Sequence, residues 1–415
     1  MSRKTLILLC DSYPLSAGEF FIDDEMRVIA PKFNNVLIYT ASSGSDENLN
    51  RFVPDNAEVV SFSRQKFEAG KLKSIFRIFT PMFIAEFFFA LKKLPLKYWL
   101  SAFKIMYVDM HRATNLKKEL VALCNAKNIN MSDCVFYSYW HDYKALALAL
   151  LRKQNSGYLC IARAHGGDIF FERFIPPYIP FKKYIVNHLT RTYSISQVGK
   201  TYLLSFAKNE VVKKIAVSRL GKKNERIPLL QKNNHEILIV SCSNLLNVKR
   251  LDKIIDLLAQ LNINNLQWVH FGDGPLRKEM ELLAARKLKN IQYEFKGVVE
   301  NDQILNFYAE HYVDLFVNLS SSEGIPVSIM EALSAGIPVL ATNVGGTSEI
   351  VNAQCGFLAD EDATIDSLVQ VVTAYLQSDK ENQLALREGA YNYWNDNYEG
   401  DRNFNNFVNL LIDLS

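Results

Sequence analysis

The chain has 415 residues, 49% of them hydrophobic and 22% charged, with a formal net charge of +3. Two domains are the natural division at that length, and the balance is that of a globular chain, which excludes fibrous, repetitive and disordered classes. Six cysteines (Cys10, Cys124, Cys134, Cys160, Cys242, Cys355) stand apart with no C-x-x-C pair; this argues against a zinc site or a disulfide framework, fits a reducing cytosol, and leaves them as small buried hydrophobes.

Arg3 and Lys4 precede an apolar run, 5–10, that Asp11 ends. The run is too short for a signal h-region or a membrane span and reads as the first buried strand of a parallel sheet. A loop Pro14-Leu15-Ser16-Ala17-Gly18-Glu19-Phe20-Phe21, a helical pattern at 24–30 and a strand at 36–39 follow. Between Arg64 and Glu119 there are twelve Lys or Arg against four acids, about +8, with Phe76, Phe79, Phe83, Phe87, Phe88, Phe89, Tyr98, Trp99, Phe103 and Tyr107 interleaved. The longest apolar stretch there, 79–91, contains Glu86 and is too short to span a bilayer. A basic, aromatic, helical surface suits contact with anionic lipid; aromatics in a core beneath solvated lysines fit the pattern equally, so both readings stand. Nucleic acid is not expected as a partner, because no binding motif is present and the overall charge is near zero.

Strands at 134–137, 158–162 and 193–196 alternate with helices at 144–153 and 199–208. Two polar turns follow strand ends: Tyr137-Ser138-Tyr139-Trp140-His141-Asp142-Tyr143, whose polar aromatics suit sugar stacking or packing, and Ala162-Arg163-Ala164-His165-Gly166-Gly167-Asp168. A polar stretch at 221–237, with Pro228, marks the boundary between domains. Beyond it strands at 237–242, 268–271, 291–295 and 315–318 alternate with helices at 251–261, 276–287 and 301–311. Such alternation implies parallel sheets with helices on both faces.

The most informative stretch begins at Ser320. A polar loop carrying Glu323 leads through Gly324, Ile325, Pro326 and Val327 into a helix that carries Glu331, eight positions on. Pro326 suits the first helical position, and the free N–H groups of that turn, with the helix dipole, make an anion site. Gly336 stops the helix, Pro338 prevents its return, and a strand at 339–342 leads to Gly345-Gly346. The two acids are suited to accept hydrogen bonds from sugar hydroxyls flanking a diphosphate.

This stretch resembles the E-x7-E element of family-4 retaining glycosyltransferases of the GT-B fold, with similarity to a branch that assembles bacterial polysaccharides. Other segments carry the resemblance further. Ser243 to Asp252 is similar to the family's phosphate-contacting turn, with Lys249 at its Lys position; Asn244 stands where the family has Arg, leaving Arg250 as the other candidate cation. Gly272-Asp273-Gly274-Pro275 resembles the turn near the nucleotide, and Gly297-Val298 the backbone stretch near the base. His165 matches a histidine that faces the donor sugar, and Gly18 and Glu19 match the first loop, without its usual double glycine.

The resemblance implies two Rossmann-like domains facing across a cleft: 1–225 on the acceptor side, 226–395 for the nucleotide-sugar donor, and a terminal segment 396–415, within a last helix at 381–414, crossing back. It implies a retaining glycosyltransferase with His165, Lys249 and Glu323 at the chemistry. Gly18, Asn244, Arg250, Gly272, Gly274, Gly297, Val298, Gly324 to Val327 and Glu331 would hold the donor. It implies no metal or other cofactor, a lipid-linked or glycan acceptor, and a cytoplasmic protein peripheral on the inner face of the membrane. An NDP-sugar epimerase and a non-catalytic sugar-nucleotide-binding scaffold subunit remain as alternatives.

Overall fold

The computed structural model describes residues 5–16, 18–19, 21–42, 51–62, 72–223, 230, 232 and 236–414. Ala17 and Phe20 of the first loop, Arg64, Lys66, Glu68 and Lys71 of the basic segment, the side chain of Lys73, and the expected boundary at 225/226 lie outside them. The chain divides into one unit of 1–220 with 401–415 and a second of 221–400.

In the first unit, β1 (Thr5–Cys10), β4 (Cys134–Ser138) and β5 (Leu159–Ala164) are buried at every position, the signature of strands covered on both faces. Their side chains alternate between two cores. Ile7, Leu9 and Phe136 pack with Met106, Leu116 and Leu120, while Leu6, Leu8 and Val135 pack with Ile22, Met26 and Phe407. With β2 (Asn35–Thr40), β3 (Ala57–Ser61), β6 (Arg191–Ser194) and β7 (Ile215–Val217) these strands form one parallel seven-stranded sheet in the order β3-β2-β1-β4-β5-β6-β7.

The second unit repeats the plan with β8 (Ile237–Cys242), β9 (Leu266–Phe271), β10 (Gln292–Gly297), β11 (Leu315–Asn318), β12 (Val339–Thr342) and β13 (Gly356–Ala359), in the order β10-β9-β8-β11-β12-β13, again all parallel. In both sheets the first strand lies inside. The chain moves outward on one side of it and returns on the other, so the connections leave β1 and β4, and likewise β8 and β11, in opposite directions. That divergence opens a crevice at the carboxyl ends of the paired strands.

The last helix expected at 381–414 is two helices, Lys380–Tyr398 and Gly400–Ile412. The break has a local cause. Lys222 N–H donates to the Tyr398 carbonyl (3.0 Å) and Gly400 N–H to the Lys222 carbonyl (3.2 Å), so the backbone there pairs with Lys222 instead of continuing the helix. Only a glycine fits at 221, where a Cβ would lie 2.5 Å from Gly400 Cα. The second helix packs on the first unit. Phe407 meets Tyr137 at 5.5 Å and Tyr193 at 5.2 Å between centroids, and the Arg163 guanidinium lies 4.2 Å from its ring. Arg163 is itself fully buried, with Nη2 3.3 Å from Glu25 Oε2 and Nε donating to Tyr137 Oη (3.0 Å). It holds up this packing and does not support His165, beside which it stands in sequence.

Phe407→Ala should therefore cost about 3–5 kcal/mol. Hydrogen exchange should rise in β4 and β6 while β8 and β11 keep their protection; wild-type exchange in the variant would show that the terminal helix adds no stability to the sheet.

Candidate functional site

The pairing of β8 with β11 brings the turns after them together, and Ser321 N–H donates to the Val248 carbonyl at 2.8 Å. At that contact Lys249 Nζ meets Glu323 Oε1 at 2.6 Å. Asn318 Nδ2 donates to the same oxygen at 3.3 Å. The side chains are 22% and 7% exposed, so the pair is screened little by water. Glu323 Oε2 has no hydrogen-bond partner among the described residues. Gly345, at φ +56°, lets the β12 turn lie on this segment: a Cβ there would come 1.9 Å from the Glu323 carbonyl oxygen. Gly346 N–H then donates to the Gly324 carbonyl at 2.9 Å.

Pro326 is the N-cap and Val327 the first residue of the helix Val327–Ser334, one position later than expected; no side chain caps this end. Its first N–H groups have no partner within the helix and, with the dipole, favour an anion. Glu331 is buried in the second turn of that helix and accepts from Asn301 Nδ2, at the start of the next helix back, at 2.5 Å.

Arg250 is not turned to an anion. It adopts a left-handed backbone (φ 46°), and its guanidinium donates to the carbonyls of Leu319 (2.6 Å), Ser320 (3.4 Å) and Glu361 (3.0 Å). Three backbone acceptors consume its fork, so it braces the loop that carries Glu323, and Lys249 remains as the cation beside Glu323. Asn244 is exposed on the turn after β8. Gly272, at φ +128°, packs against that turn, where a Cβ would lie 2.0 Å from the Ser243 carbonyl oxygen. Gly272 N–H bonds the Gly297 carbonyl at 2.8 Å, Gly274 lies against Leu245, and the Val298 side chain is exposed. These residues form a rim of backbone around the turns after β8, β9 and β10.

The first unit gathers a different set. Gly18 (φ +102°) and Glu19 (φ +52°) turn the loop after β1 back on itself. The Glu19 carboxylate then accepts the N–H groups of Asp11, Ser12 and Tyr13 at 2.6–3.1 Å, together with Ser12 Oγ and Trp140 Nε1. Burial by itself raises this carboxyl, but these donors outweigh it and hold it below its ordinary value. The amides that a phosphate would use are thus occupied by the protein's own carboxylate. The Gly18 carbonyl is taken by Arg51 Nη1 at 2.9 Å. His165 is buried among Tyr139 (5.0 Å between centroids, stacked), Trp140 (4.7 Å) and Phe21 (6.2 Å), and its Nδ1 lies 3.6 Å from Asp168 Oδ2. Asp168 accepts the N–H groups of His141 and His165, both at 2.7 Å, and so ties the turns after β4 and β5 together.

Four residues near these clusters escaped the sequence reading as site members: Asn301, Asn318, Asp11 and Lys144. The polar residue opening a helix after a strand was a visible signal for Asn301. Nothing local marks the others. Among the described residues no three His, Cys, Asp or Glu side chains are grouped to hold a metal ion.

Residues 222–393 match the family model described as Glycosyl transferases group 1. Protein CapJ of Staphylococcus aureus is 27% identical over 212 residues, 50% of this chain and 49% of CapJ. The chain spans about half the length, or less, of the curated relatives it matches. Among solved structures, the apo form of the lipopolysaccharide outer core galactosyltransferase WaaB aligns with a TM-score of 0.66 and 14% identity, covering 99% of this chain and 100% of WaaB. HepE of Anabaena, in complex with UDP and glucose, aligns with a TM-score of 0.65 and 16% identity over 98% and 99% of the two chains. The fold is that of the GT-B glycosyltransferases, with two Rossmann-like domains, as the sequence led us to expect.

Lys249→Ala strands the Glu323 carboxylate with Asn318 as its remaining partner, a change that costs about 3–5 kcal/mol for a buried pair. Adding Glu323→Gln removes the stranded charge. The double variant should recover most of the lost stability in thermal unfolding; strictly additive losses would mean that the two side chains are not coupled.

Proposed function

We propose that this chain is a retaining glycosyltransferase. It moves a sugar from a nucleotide-diphosphate donor to a lipid-linked or oligosaccharide acceptor in bacterial surface or exopolysaccharide assembly. The observation that carries the reading is the Lys249–Glu323 pair beside the uncapped start of the helix that also carries Glu331. The helix start and Lys249 stabilise charge growing on the departing diphosphate, the largest electrostatic demand of such a step. Glu323 keeps one oxygen for a donor-sugar hydroxyl, and Glu331, oriented by Asn301, takes the ribose hydroxyls. With those charges supplied by the chain, the reaction requires no metal or other cofactor. Attack comes from the front face, and a donor phosphate oxygen receives the acceptor proton. The glycosyl transferases group 1 match over 222–393 and the UDP and glucose held by HepE support this reading.

The chain works on the cytoplasmic side, peripheral on anionic membrane. The large apolar side chains of the basic segment divide between core and surface. Phe83 is buried and Phe87, Phe89, Tyr98 and Phe103 pack on the core, whereas Phe76, Phe79, Ile84, Phe88, Leu96, Trp99 and Leu100 are exposed. From 76 to 104 the one acid, Glu86, is buried and bonded by Tyr178 Oη at 2.6 Å. The exposed Lys92, Lys93, Lys97 and Lys104 therefore face no acid from their own segment. No helix of the described residues is long and apolar enough to cross a membrane.

Thermal shift with a panel of NDP-sugars tests the donor site, since a ligand that binds the folded chain raises its melting temperature. Glu331→Ala should weaken the bound donor roughly 10- to 150-fold, the loss of charged hydrogen bonds; unchanged affinity would remove the ribose assignment. Lys249→Ala should lower kcat on the order of a hundredfold, and Glu323→Gln in the same chain should restore stability without restoring turnover. Donor hydrolysis or transfer by the pure protein separates this reading from an epimerase and from a scaffold subunit.

Replacing Lys92, Lys93 and Lys97 by Ser should remove roughly 3 kcal/mol of attachment to anionic liposomes, and high salt should imitate the triple change. Equal sedimentation of both proteins with anionic and neutral vesicles would show that the lysines are a solvated face.

A further inference from the structure

The first unit gathers charge at the other end of its sheet as well. The helix Tyr143–Gln154 carries Arg152 and Lys153 in its last turn, the helix Lys182–His188 ends on His188, and the turn Asn209–Lys214 ends on Lys213 and Lys214, just before β5, β6 and β7 begin. β6 opens on Arg191, and the register that pairs Thr192 with Ile215 sets Arg191 beside Lys214. Backbone bonds draw the group together. Arg152 Nη1 donates to the His188 carbonyl at 3.2 Å, and Arg191 Nη1 donates to the Lys213 carbonyl. Asn187 Oδ1 accepts the Lys208 N–H at 2.8 Å. Lys153 Nζ lies 5.9 Å from the ring centroid of Tyr184, which stacks on His188 at 3.9 Å.

These basic side chains meet few acids. Glu210, its side chain 75% exposed, reaches Lys208 at 3.9 Å, and Asp413, whose charge acts on Tyr193, is exposed. Among the described residues, no carboxylate lies within ion-pair distance of Arg152, Lys153, Arg191, Lys213 or Lys214. Arg152, His188, Arg191 and Lys214 are half-buried, so water screens their mutual repulsion less than on an open surface. Burial first, then Arg152 and Arg191, lower the Lys214 ammonium. Burial first, then Lys153, Lys208 and Arg152, lower His188 against the Tyr184 carbonyl that bonds its Nδ1 at 2.8 Å. One end of each guanidinium is anchored on a carbonyl, and Arg152 Nε is buried with no hydrogen-bond partner among the described residues. Forks ordered in this way keep further N–H groups for the oxygens of a phosphate.

We propose that this cluster is a phosphate-binding site, in which Arg152 and Arg191 hold the phosphate oxygens and Lys213 and Lys214 balance its charge. A phosphate dianion suits it better than a carboxylate, because a single negative charge leaves most of these cations uncompensated. The site lies at the amino ends of β5, β6 and β7, whereas Glu19, His141 and His165 follow the carboxyl ends of β1, β4 and β5. It stands whether or not the chain transfers a sugar. The phosphate belongs either to a soluble anion or to a lipid headgroup, and the same groups serve both.

The test uses the full chain. Inorganic phosphate is titrated by calorimetry at low ionic strength. Sedimentation compares vesicles of phosphatidic acid, which exposes a phosphomonoester, with vesicles of phosphatidylglycerol matched for surface charge. Two double variants stand beside the wild type, Arg152→Gln with Arg191→Gln and Lys213→Gln with Lys214→Gln. The lysine pair leaves both carbonyl anchors of the forks in place, so it should keep the wild-type melting temperature, and it decides the outcome if the arginine pair melts early. For a soluble ligand, the wild type takes up phosphate and each double variant binds it about tenfold or more weakly, the loss of charged hydrogen bonds. For a headgroup, the wild type prefers phosphatidic acid to phosphatidylglycerol and each double variant loses that preference. The general attraction of Lys92, Lys93 and Lys97 to anionic vesicles does not distinguish the two lipids. A wild type with neither phosphate uptake nor that preference would overturn the proposal. So would wild-type behaviour of the lysine pair in both assays, which would assign any bound phosphate to another part of the chain.

Discussion

A strand buried on both faces has nowhere to carry polar chemistry except its ends. β1, β4 and β5 show the constraint at full strength, since every side chain along them is inside. Two of the molecule's ion pairs accordingly sit at the carboxyl ends of inner strands. Strand order then decides which ends matter. Both sheets place their first strand inside, and both collect an ion pair where the connections diverge: Lys144 with Asp11 and Asp142 after β1 and β4, Lys249 with Glu323 after β8 and β11.

The two crevices share a plan and differ in sign. In the second unit one lysine faces one carboxylate beside an uncapped helix start, so an arriving anion meets positive potential. In the first, two carboxylates share one buried lysine, and a third, Glu19, has taken the loop amides. A single carboxylate and one inward-turned glutamate thus distinguish the two crevices in charge. Buried ion pairs of this kind add little net stability; their use here is to hold an exposed oxygen at a fixed place.

What could be read from the sequence was what is local. The helix carrying Glu331 and the loop carrying Glu323 are contiguous, and their punctuation by Pro326, Gly336 and Pro338 is visible in one line. The central strands are long apolar runs and were equally plain. The short strands β3, β7 and β13 were not, because they are three to five residues long and partly exposed, so no run distinguishes them from loop. Pairings across the sheet were out of reach for a different reason. Lys249 and Glu323 are 74 residues apart, and Asp11 and Lys144 are 133 apart; they meet only because two strands are neighbours. Backbone conformation also redirected side chains. A left-handed φ at Arg250 sends its guanidinium to carbonyls, and a left-handed φ at Glu19 folds its carboxylate into its own loop.

The contact between Lys222 and the Tyr398–Gly400 backbone places the chain's entry into the second unit beside its exit. Topologically the second unit is an insertion: the first unit's fold is interrupted at Leu220 and resumes at Asp401. A module whose two ends coincide is exchangeable, because the host chain needs no new path to close over its removal. Lineages built this way are free to replace the second unit while keeping the first, and the glycine pair 221 and 400 is the seam along which such a replacement would be cut.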